Sequence, residues 1–297
     1  MQYDLEMWKY AREVKTVSVD PQIGHEHRPN ASAHLMGVGI TTNKQGYRDR
    51  DIEVEKAPGR IRIMMIGDSL TFGWGVPQDR TFPKVVEKRL NDGGIDAEVI
   101  NTGVGNYNTV MEVGAFLKNG IKLNPDIVIL NYFINDAEPI PSYESSWMER
   151  HSKAWVFFAS RFGIAERQVG IGSNLAWSDY YRGLYDDTKN PGGWAAAKDA
   201  IRRLSEYCRS SGVKLYVVNH PELRILEPYS FAEQADQVRE FATELNLPYL
   251  DLLSSVQRED PATLWVTVPD PHPNEKANRL FGDAIYEWLL QEDRLSR

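Results

Sequence analysis

The stretch Arg60-Ile-Arg-Ile-Met-Met-Ile-Gly-Asp-Ser-Leu-Thr-Phe-Gly-Trp-Gly75 decides the fold of this chain. Apolar residues run without interruption from Ile63 to Ile66, a pattern typical of a strand that is buried on both faces of a parallel sheet. The run stops at Gly67-Asp-Ser69. A small polar residue is therefore predicted at the carboxyl end of a central strand, where open α/β sheets form their ligand crevices.

Strand-like and helix-like segments alternate from residue 60 onward. The apolar runs predict four further strands, at about 98–101, 126–133, 213–219 and 248–252. Amphipathic periodicity predicts helices between and after them, at about 81–92, 109–120, 194–210, 231–245 and 273–290. This order predicts an α/β fold, a doubly wound parallel sheet of about five strands with helices on both faces.

The leader, residues 1–58, lies outside this alternation. We predict one helix in it, near Asp4–Lys15, and expect the leader to pack on the core formed by residues 59–297. His25-Glu-His27 places two histidines on alternate residues. We favour a solvated loop over a metal site there, because no third ligand is close in sequence.

A second interruption, at about 137–193, leaves from the end of the third predicted strand and is rich in aromatic residues. One interpretation is a helical subdomain with its own small core. Another is a cap over the crevice, and the two can hold together. Aromatic rings among arginines can bind a sugar ring or an acyl chain, or form the surface of a homo-oligomer.

Composition narrows the classes of partner. The formal net charge of −8 makes a nucleic-acid backbone an unfavourable ligand. The single cysteine, Cys208, excludes an internal disulfide. No apolar run is long enough to span a bilayer, and the first residues lack the features of a signal peptide. We therefore expect a cytoplasmic protein, or an extracytoplasmic one if an upstream signal or anchor has been removed.

Candidate chemical groups follow the ends of successive strands. Ser69 follows the first strand, Asn101-Thr-Gly-Val-Gly-Asn-Tyr107 the second and Asn135-Asp136 the third, whereas Asp270-Pro-His-Pro-Asn274 follows the fifth. Ester cleavage by a serine needs a nucleophile, a base, a group that orients the base, and donors for the oxyanion. Each of these roles has a candidate here.

These blocks resemble those of the SGNH (GDSL) hydrolases over residues of about 60–291. The resemblance implies a flavodoxin-like three-layer α/β/α sandwich and no metal or other cofactor. It implies that Ser69 is the nucleophile, with its N–H in the oxyanion hole, that the Asn135 amide is a second oxyanion donor, and that His272 is the base. Because Pro273 favours a first helical position, we expect His272 at the N-terminus of the last helix.

Three positions depart from the pattern of the family. Its second-block glycine falls on Asn106, which still offers a backbone N–H to the oxyanion and tolerates a positive φ. Phe133 replaces the usual third-block glycine and is predicted to narrow the acyl pocket. Asp270 lies two residues before His272 instead of three. Either it still orients the imidazole, which we favour, or a backbone carbonyl does.

The leading hypothesis is a serine esterase that removes short O-acyl groups, such as acetyl, from a carbohydrate or small ester. Phe133 and His220, which ends the fourth strand, are candidate substrate contacts. An SGNH-type carbohydrate O-acyltransferase is the alternative, since the Asp-x-His spacing resembles that group. A lipase or thioesterase for longer chains is less favoured, and a binding module without activity is disfavoured because all chemical roles remain filled.

Overall fold

The computed structural model describes residues 2–140, 175–268, 270–291 and 294–295. The leader contains one helix and two antiparallel pairs of strands, β1 with β2 and β3 with β4. These elements are α1 (Gln2–Glu13), β1 (Lys15–Val17), β2 (His25–His27), β3 (Ser32–Leu35) and β4 (Val38–Thr41). The prediction of a solvated loop at His25 and His27 is wrong. Both side chains are buried, because alternate residues of a strand point to the same side.

Beyond the leader, strands and helices alternate as the sequence predicts. The strands are β5 (Ile61–Gly67), β6 (Ala97–Asn101), β7 (Ile127–Tyr132), β8 (Lys214–Asn219), β9 (Tyr249–Asp251), β10 (Trp265–Thr267) and β11 (Asp270–Pro273). The helices are α2 (Ser69–Phe72), α3 (Phe82–Asp92), α4 (Thr109–Lys118), α5 (Leu175–Gly183), α6 (Gly193–Ser211), α7 (Ala232–Glu244), α8 (Leu253–Val256) and α9 (Glu275–Leu289). The antiparallel pair of β10 and β11 is not foreseen by the sequence pattern.

Five strands form one parallel sheet in the order β6-β5-β7-β8-β9. The doubly wound α/β fold is thereby confirmed. After β5 the chain adds β6 on one side and β7 on the other, so the strand order reverses between β5 and β7. Ligand crevices form at such switch points, beyond the carboxyl ends of the strands. Ser69 follows β5 and Asn135 follows β7, the two strands on either side of this switch point.

Two apolar layers explain why the central strands have no polar face. Met64 and Ile66 of β5 pack in the layer that contains α4, α6 and α7. Ile63 and Met65, on the other side of the same strand, pack in the layer that contains α3 and α9. Because both faces are covered, a continuous apolar run is the pattern that such a strand requires.

The leader contacts the segment that follows Ser69. Tyr10 packs against Phe72 and Trp74, with ring centroids 5.1 and 5.5 Å apart. Arg48 is fully buried, and its guanidinium donates hydrogen bonds to the carbonyl oxygens of Phe72 and Gly73 at 2.8 and 2.6 Å. These carbonyls end the short helix α2, so the leader helps to hold the turn that carries Ser69.

The aromatic interruption is described from residue 175 onward, where α5 and the segment that leads to α6 lie. Its first part, including Trp147, Trp155 and Phe157, lies outside the described residues. In the described ranges, no helix has both the length and the apolar character needed to cross a membrane. The same ranges hold no group of three His, Cys, Asp or Glu side chains placed to bind a metal ion.

Candidate active site

Ser69 is the first residue of α2, directly after the end of β5. Asp68 caps this helix, because its Oδ1 accepts a hydrogen bond from the Leu70 N–H at 2.8 Å. Gly67 is required by close packing, since a Cβ there would lie 2.0 Å from Oγ1 of Thr71. The tight strand-to-helix turn therefore presents the Ser69 hydroxyl at the crevice.

His272 lies between Ser69 and Asp270. Its Nε2 is 2.9 Å from the Ser69 Oγ, and its Nδ1 is 2.5 Å from the Asp270 Oδ1. The carboxylate can only accept, so Nδ1 carries the proton and Nε2 is free to accept the serine hydroxyl. One chain of hydrogen bonds thus connects Ser69 to His272 and Asp270, which lie about 200 residues later in the sequence.

Asp270 reaches His272 because the segment is an extended strand. β11 pairs with β10, and in a strand residues two apart point the same way. The expected position of His272 at a helix N-terminus is wrong. Asn274 caps α9, which begins only at Glu275.

The Asp270 carboxylate is held from several directions. Besides the imidazole, the His272 N–H donates to its Oδ1 at 3.1 Å, and the indole Nε1 of Trp74 donates to its Oδ2 at 3.0 Å. Burial raises the pKa of Asp270, but the hydrogen bonds from His272 and Trp74 and the electrostatic attraction of the imidazole outweigh burial, and the pKa lies below its ordinary value. Asp270 therefore remains an acceptor at neutral pH. Sequence reasoning did not identify Trp74, whose partner is 196 residues away.

Asn135 and Asn106 lie on the rim of the crevice that holds Ser69. The Asn135 amide donates one hydrogen to Asp68 Oδ2 at 3.3 Å, which leaves the second hydrogen of the same NH₂ group for a ligand. Asn106 has a φ of +66°, the left-handed conformation that asparagine tolerates better than other non-glycine residues. The replacement of glycine at this position is thus compatible with the backbone.

A layer of buried carboxyl groups lies behind Asn135. Asp68, Asp136 and Glu112 are each at most 2% exposed. Burial raises the pKa of all three, and for Glu112 and Asp136 the neighbouring carboxyl groups raise it further. Burial therefore disfavours the ionised form of each of these carboxyl groups. Glu112 belongs to α4 and was not identified from the sequence.

The crevice has a volume of about 300 Å³ and is lined mainly by polar side chains. Phe133 and Tyr181 form an aromatic side of it, with ring centroids 6.4 Å apart. Glu138, Glu222 and Arg224 also line it, and sequence reasoning identified none of these three. The guanidinium of Arg224 forms an ion pair with the Glu222 carboxylate at 2.5 Å, and this pair holds both side chains in position along the crevice.

His220 does not line the crevice, contrary to its expected contact with substrate. It is 1% exposed and packs between the rings of Phe82 and Phe281, at 4.8 and 5.2 Å. Its Nε2 is 3.1 Å from Oδ1 of Asn131. Burial lowers the pKa of His220 to about 3. His220 directly follows β8 and its side chain faces the helical layer, whereas the residues from Pro221 to Arg224 line the crevice.

Comparison with known proteins bears on the family and the fold of the chain. The model of the GDSL-like Lipase/Acylhydrolase family matches residues 65–280, well over half of the chain. A search of curated protein sequences found no match. Among solved structures, an Axe2 mutant, described as an acetyl-xylooligosaccharide esterase from Geobacillus Stearmophilus, is 14% identical with a TM-score of 0.51, and the match covers 78% of this chain and 95% of that one. The structure named TesA is 13% identical with a TM-score of 0.50, covering 77% and 98%.

The two solved structures support the fold, and the family match covers both ends of the site, from β5 to α9. The resemblance to SGNH (GDSL) hydrolases is thus confirmed. The chain belongs to the GDSL-like lipase/acylhydrolase family and is an ester hydrolase.

Proposed function

We propose that this hydrolase removes short O-acyl groups from a hydroxyl-rich alcohol such as a carbohydrate, through an acyl-enzyme on Ser69. The observation that carries the proposal is the chain of hydrogen bonds from Ser69 through His272 to Asp270 at the edge of a small polar crevice. It supplies a nucleophile, a base and a group that orients the base.

In the first half-reaction, the Ser69 Oγ attacks the ester carbonyl carbon while its proton passes to Nε2 of His272. The carbonyl oxygen becomes an oxyanion, which the N–H groups of Ser69 and Asn106 and the amide of Asn135 stabilise. The bond to the alcohol oxygen then breaks, and His272 gives its proton to that oxygen. In the second half, water attacks the acyl carbon while His272 takes its proton; the bond to the Ser69 Oγ then breaks, His272 returns the proton to that oxygen, and the free acid leaves.

The walls of the crevice favour a short acyl group and a polar alcohol. The Phe133 ring occupies space that the glycine of the usual motif would leave open. Carboxylates of Glu138 and Glu222 and the guanidinium of Arg224 are acceptors and donors suited to sugar hydroxyls. A long acyl chain would need an extended apolar surface that these side chains do not supply.

Activity on p-nitrophenyl esters from acetyl to decanoyl, and on acetylated xylan and acetylated glucosamine, tests the substrate class. We expect kcat/KM to be highest for acetyl or propionyl esters and to fall with chain length. Values that rise to decanoyl would reject the short-acyl proposal. Addition of free sugar as acceptor separates hydrolysis from acyl transfer, because transfer would yield an acylated sugar at the expense of free acid.

Ser69→Ala tests the nucleophile. We expect ester turnover to fall by about 10⁴-fold or more with the circular dichroism spectrum unchanged, because only a hydroxyl at the crevice surface is lost. A fluorophosphonate should label the wild-type protein at Ser69 and leave Ser69→Ala unlabelled. Equal labelling of the two proteins would show that the nucleophile is another residue.

A further inference from the structure

The leader supplies the hydrogen-bond partners of the peptide group that joins Gly105 to Asn106. Nζ of Lys15 lies 2.5 Å from the Gly105 oxygen, and Nε2 of His25 lies 3.0 Å from the same oxygen. A carbonyl oxygen only accepts, so both leader side chains donate to it. The family match begins at residue 65, so neither donor lies in the part of the chain that the family model matches.

Lys15 also fixes the side chain of Asn106. Its Nζ donates to Oδ1 of Asn106 at 2.9 Å, and it lies 4.3 Å from the centre of the Tyr10 ring. Lys15 is 8% exposed, and burial lowers its pKa well below the ordinary value. Nζ carries N–H donors whether or not it is charged, so these hydrogen bonds do not depend on its protonation.

A second hydrogen-bond chain holds the preceding peptide group. The Gly105 N–H donates to the Tyr10 hydroxyl at 2.8 Å, and that hydroxyl is 2.6 Å from Nε2 of His27. Nδ1 of His27 is 3.2 Å from the Gly46 oxygen, so Nδ1 carries the proton and Nε2 accepts from Tyr10. Burial, followed by the charge of Lys15, lowers the pKa of His27 to about 3, in agreement with a neutral ring.

The two ends of the Gly105–Asn106 peptide face opposite directions. In a trans peptide the C=O and the N–H are antiparallel. The Gly105 oxygen points at Lys15 and His25, so the Asn106 N–H points away from these two donors, and Asn106 itself lines the crevice. Donors on the oxygen of an amide draw electron density from its nitrogen, so they strengthen the N–H as a donor.

We propose that Lys15 and His25 are positioning residues that orient and polarise the peptide whose N–H stabilises the oxyanion. The leader thereby becomes part of the catalytic apparatus, although none of its side chains touches the reacting atoms. The inference rests on the proposed acyl-enzyme function and adds a specific role for residues 15 and 25 to it. It also gives a reason for asparagine at position 106, whose side chain offers Lys15 a second acceptor that glycine lacks.

Lys15→Met removes the donor and keeps most of the side-chain volume. We expect kcat for p-nitrophenyl acetate to fall about tenfold with KM changed less than about twofold, since a donor that acts only on the oxyanion contributes in the transition state. The rate of fluorophosphonate labelling should fall in parallel, because the phosphonyl oxygen occupies the oxyanion position. His25→Phe removes the second donor and should lower kcat about threefold, which keeps the test available if Lys15→Met does not fold.

Lys118→Met is the matched control. It removes the ion pair between Lys118 and Glu26 of the leader, at 3.2 Å, without touching the Gly105–Asn106 peptide. If kcat and labelling rate in Lys15→Met match those of Lys118→Met at a temperature where both are folded, the positioning role is overturned. The positioning role would also be overturned if, in Lys15→Met, KM rose by the same factor by which kcat fell.

Asn106→Gly separates the two acceptors of Lys15. If Lys15 acts through the Gly105 carbonyl, Lys15→Met costs the same factor in kcat in the Asn106→Gly background as in wild type. If the effect of Lys15→Met disappears in that background, polarisation of the peptide is rejected. Failure of the proposed function is recognised separately, because Ser69→Ala would then be labelled and active like wild type.

Discussion

At the scale of single residues, the distinctive position is Asp270. Only Pro271 separates it from His272, yet Oδ1 meets Nδ1 at 2.5 Å because the segment is extended. The indole of Trp74 holds the other oxygen at 3.0 Å. The shorter spacing is therefore no obstacle to the role that the carboxylate would have in orienting the imidazole.

Asp270→Asn should lower kcat by about 10²–10⁴, because an amide nitrogen next to Nδ1 favours the tautomer with the proton on Nε2. Steady-state kinetics on p-nitrophenyl acetate measures the loss. Trp74→Phe is the control, since it removes one hydrogen bond from the carboxylate but keeps the acceptor, and we expect a loss of about tenfold or less. A loss below about fivefold in Asp270→Asn, with His272→Ala inactive, would indicate a Ser–His dyad.

Asn135→Ala should lower kcat by about 10²–10³, or about 3–4 kcal/mol, with little change in KM, as expected when one oxyanion donor is lost. The structure supports a free amide hydrogen, since Asp68 accepts only one of the two. The rate of fluorophosphonate labelling should fall with kcat. An unchanged kcat would show that this amide does not face the reacting carbonyl.

At the scale of elements, α5 brings the aromatic interruption to the crevice. Tyr181 lines the crevice beside Phe133, and Trp177 lies behind Tyr181 with ring centroids 6.2 Å apart. Arg224, from the loop after β8, lies over the Trp177 ring at 4.8 Å. A helix from the interruption and a loop from the sheet thus build one wall together, which fits a role in substrate choice.

Tyr181→Ala should change KM unevenly across the ester panel, because it widens the crevice on the side of Phe133 without touching Ser69 or His272. We expect the largest changes for esters longer than acetyl. Arg182→Ala is the matched control on the same helix, where the side chain donates to the Ser230 carbonyl instead of lining the crevice. Equal loss for all esters, in step with a lower melting temperature, would indicate a purely structural role for α5.

At the scale of the whole molecule, several histidines are buried as neutral groups. Burial lowers the pKa of His25 and His220 to about 3, with the charge of Lys15 adding to the effect at His25. The unfolded chain binds protons at these residues near the ordinary pKa of 6.5, whereas the folded protein does not. Stability from these groups is therefore full above about pH 6.5 and declines as the pH falls below it.

His220→Gln tests this linkage, because the amide keeps a donor for Asn131 but does not titrate. Between pH 7.5 and 5.5 the free energy of unfolding of wild type should fall by about 1.4 kcal/mol more than that of the variant, as expected for one group with an unfolded pKa near 6.5. Urea unfolding at the two pH values measures both. Parallel changes would show that His220 titrates in the folded protein with the same pKa as in the unfolded chain, and would reject the lowered pKa.

The sequence by itself determined the parallel sheet and the strand ends that carry the chemistry. A run such as Ile63–Ile66 suits only a strand covered on both faces, and parallel strands place their carboxyl ends at one edge. Ser69 and Asn135 could therefore be assigned to one crevice from the strand ends, and the resemblance to the family added His272. His220 could not, because the face to which the end of a strand turns depends on the helices that pack there.

Only the tertiary structure decided which distant groups surround the site. Lys15 and Asn106 are 91 residues apart, and Trp74 and Asp270 are 196 apart. No periodicity or spacing records such pairs, because they depend on how the leader folds onto the sheet. The same holds for Glu222 and Arg224, because their position at the crevice depends on the conformation of the loop after β8. Local sequence sets each element, but the environment of a reacting atom is set by packing between elements.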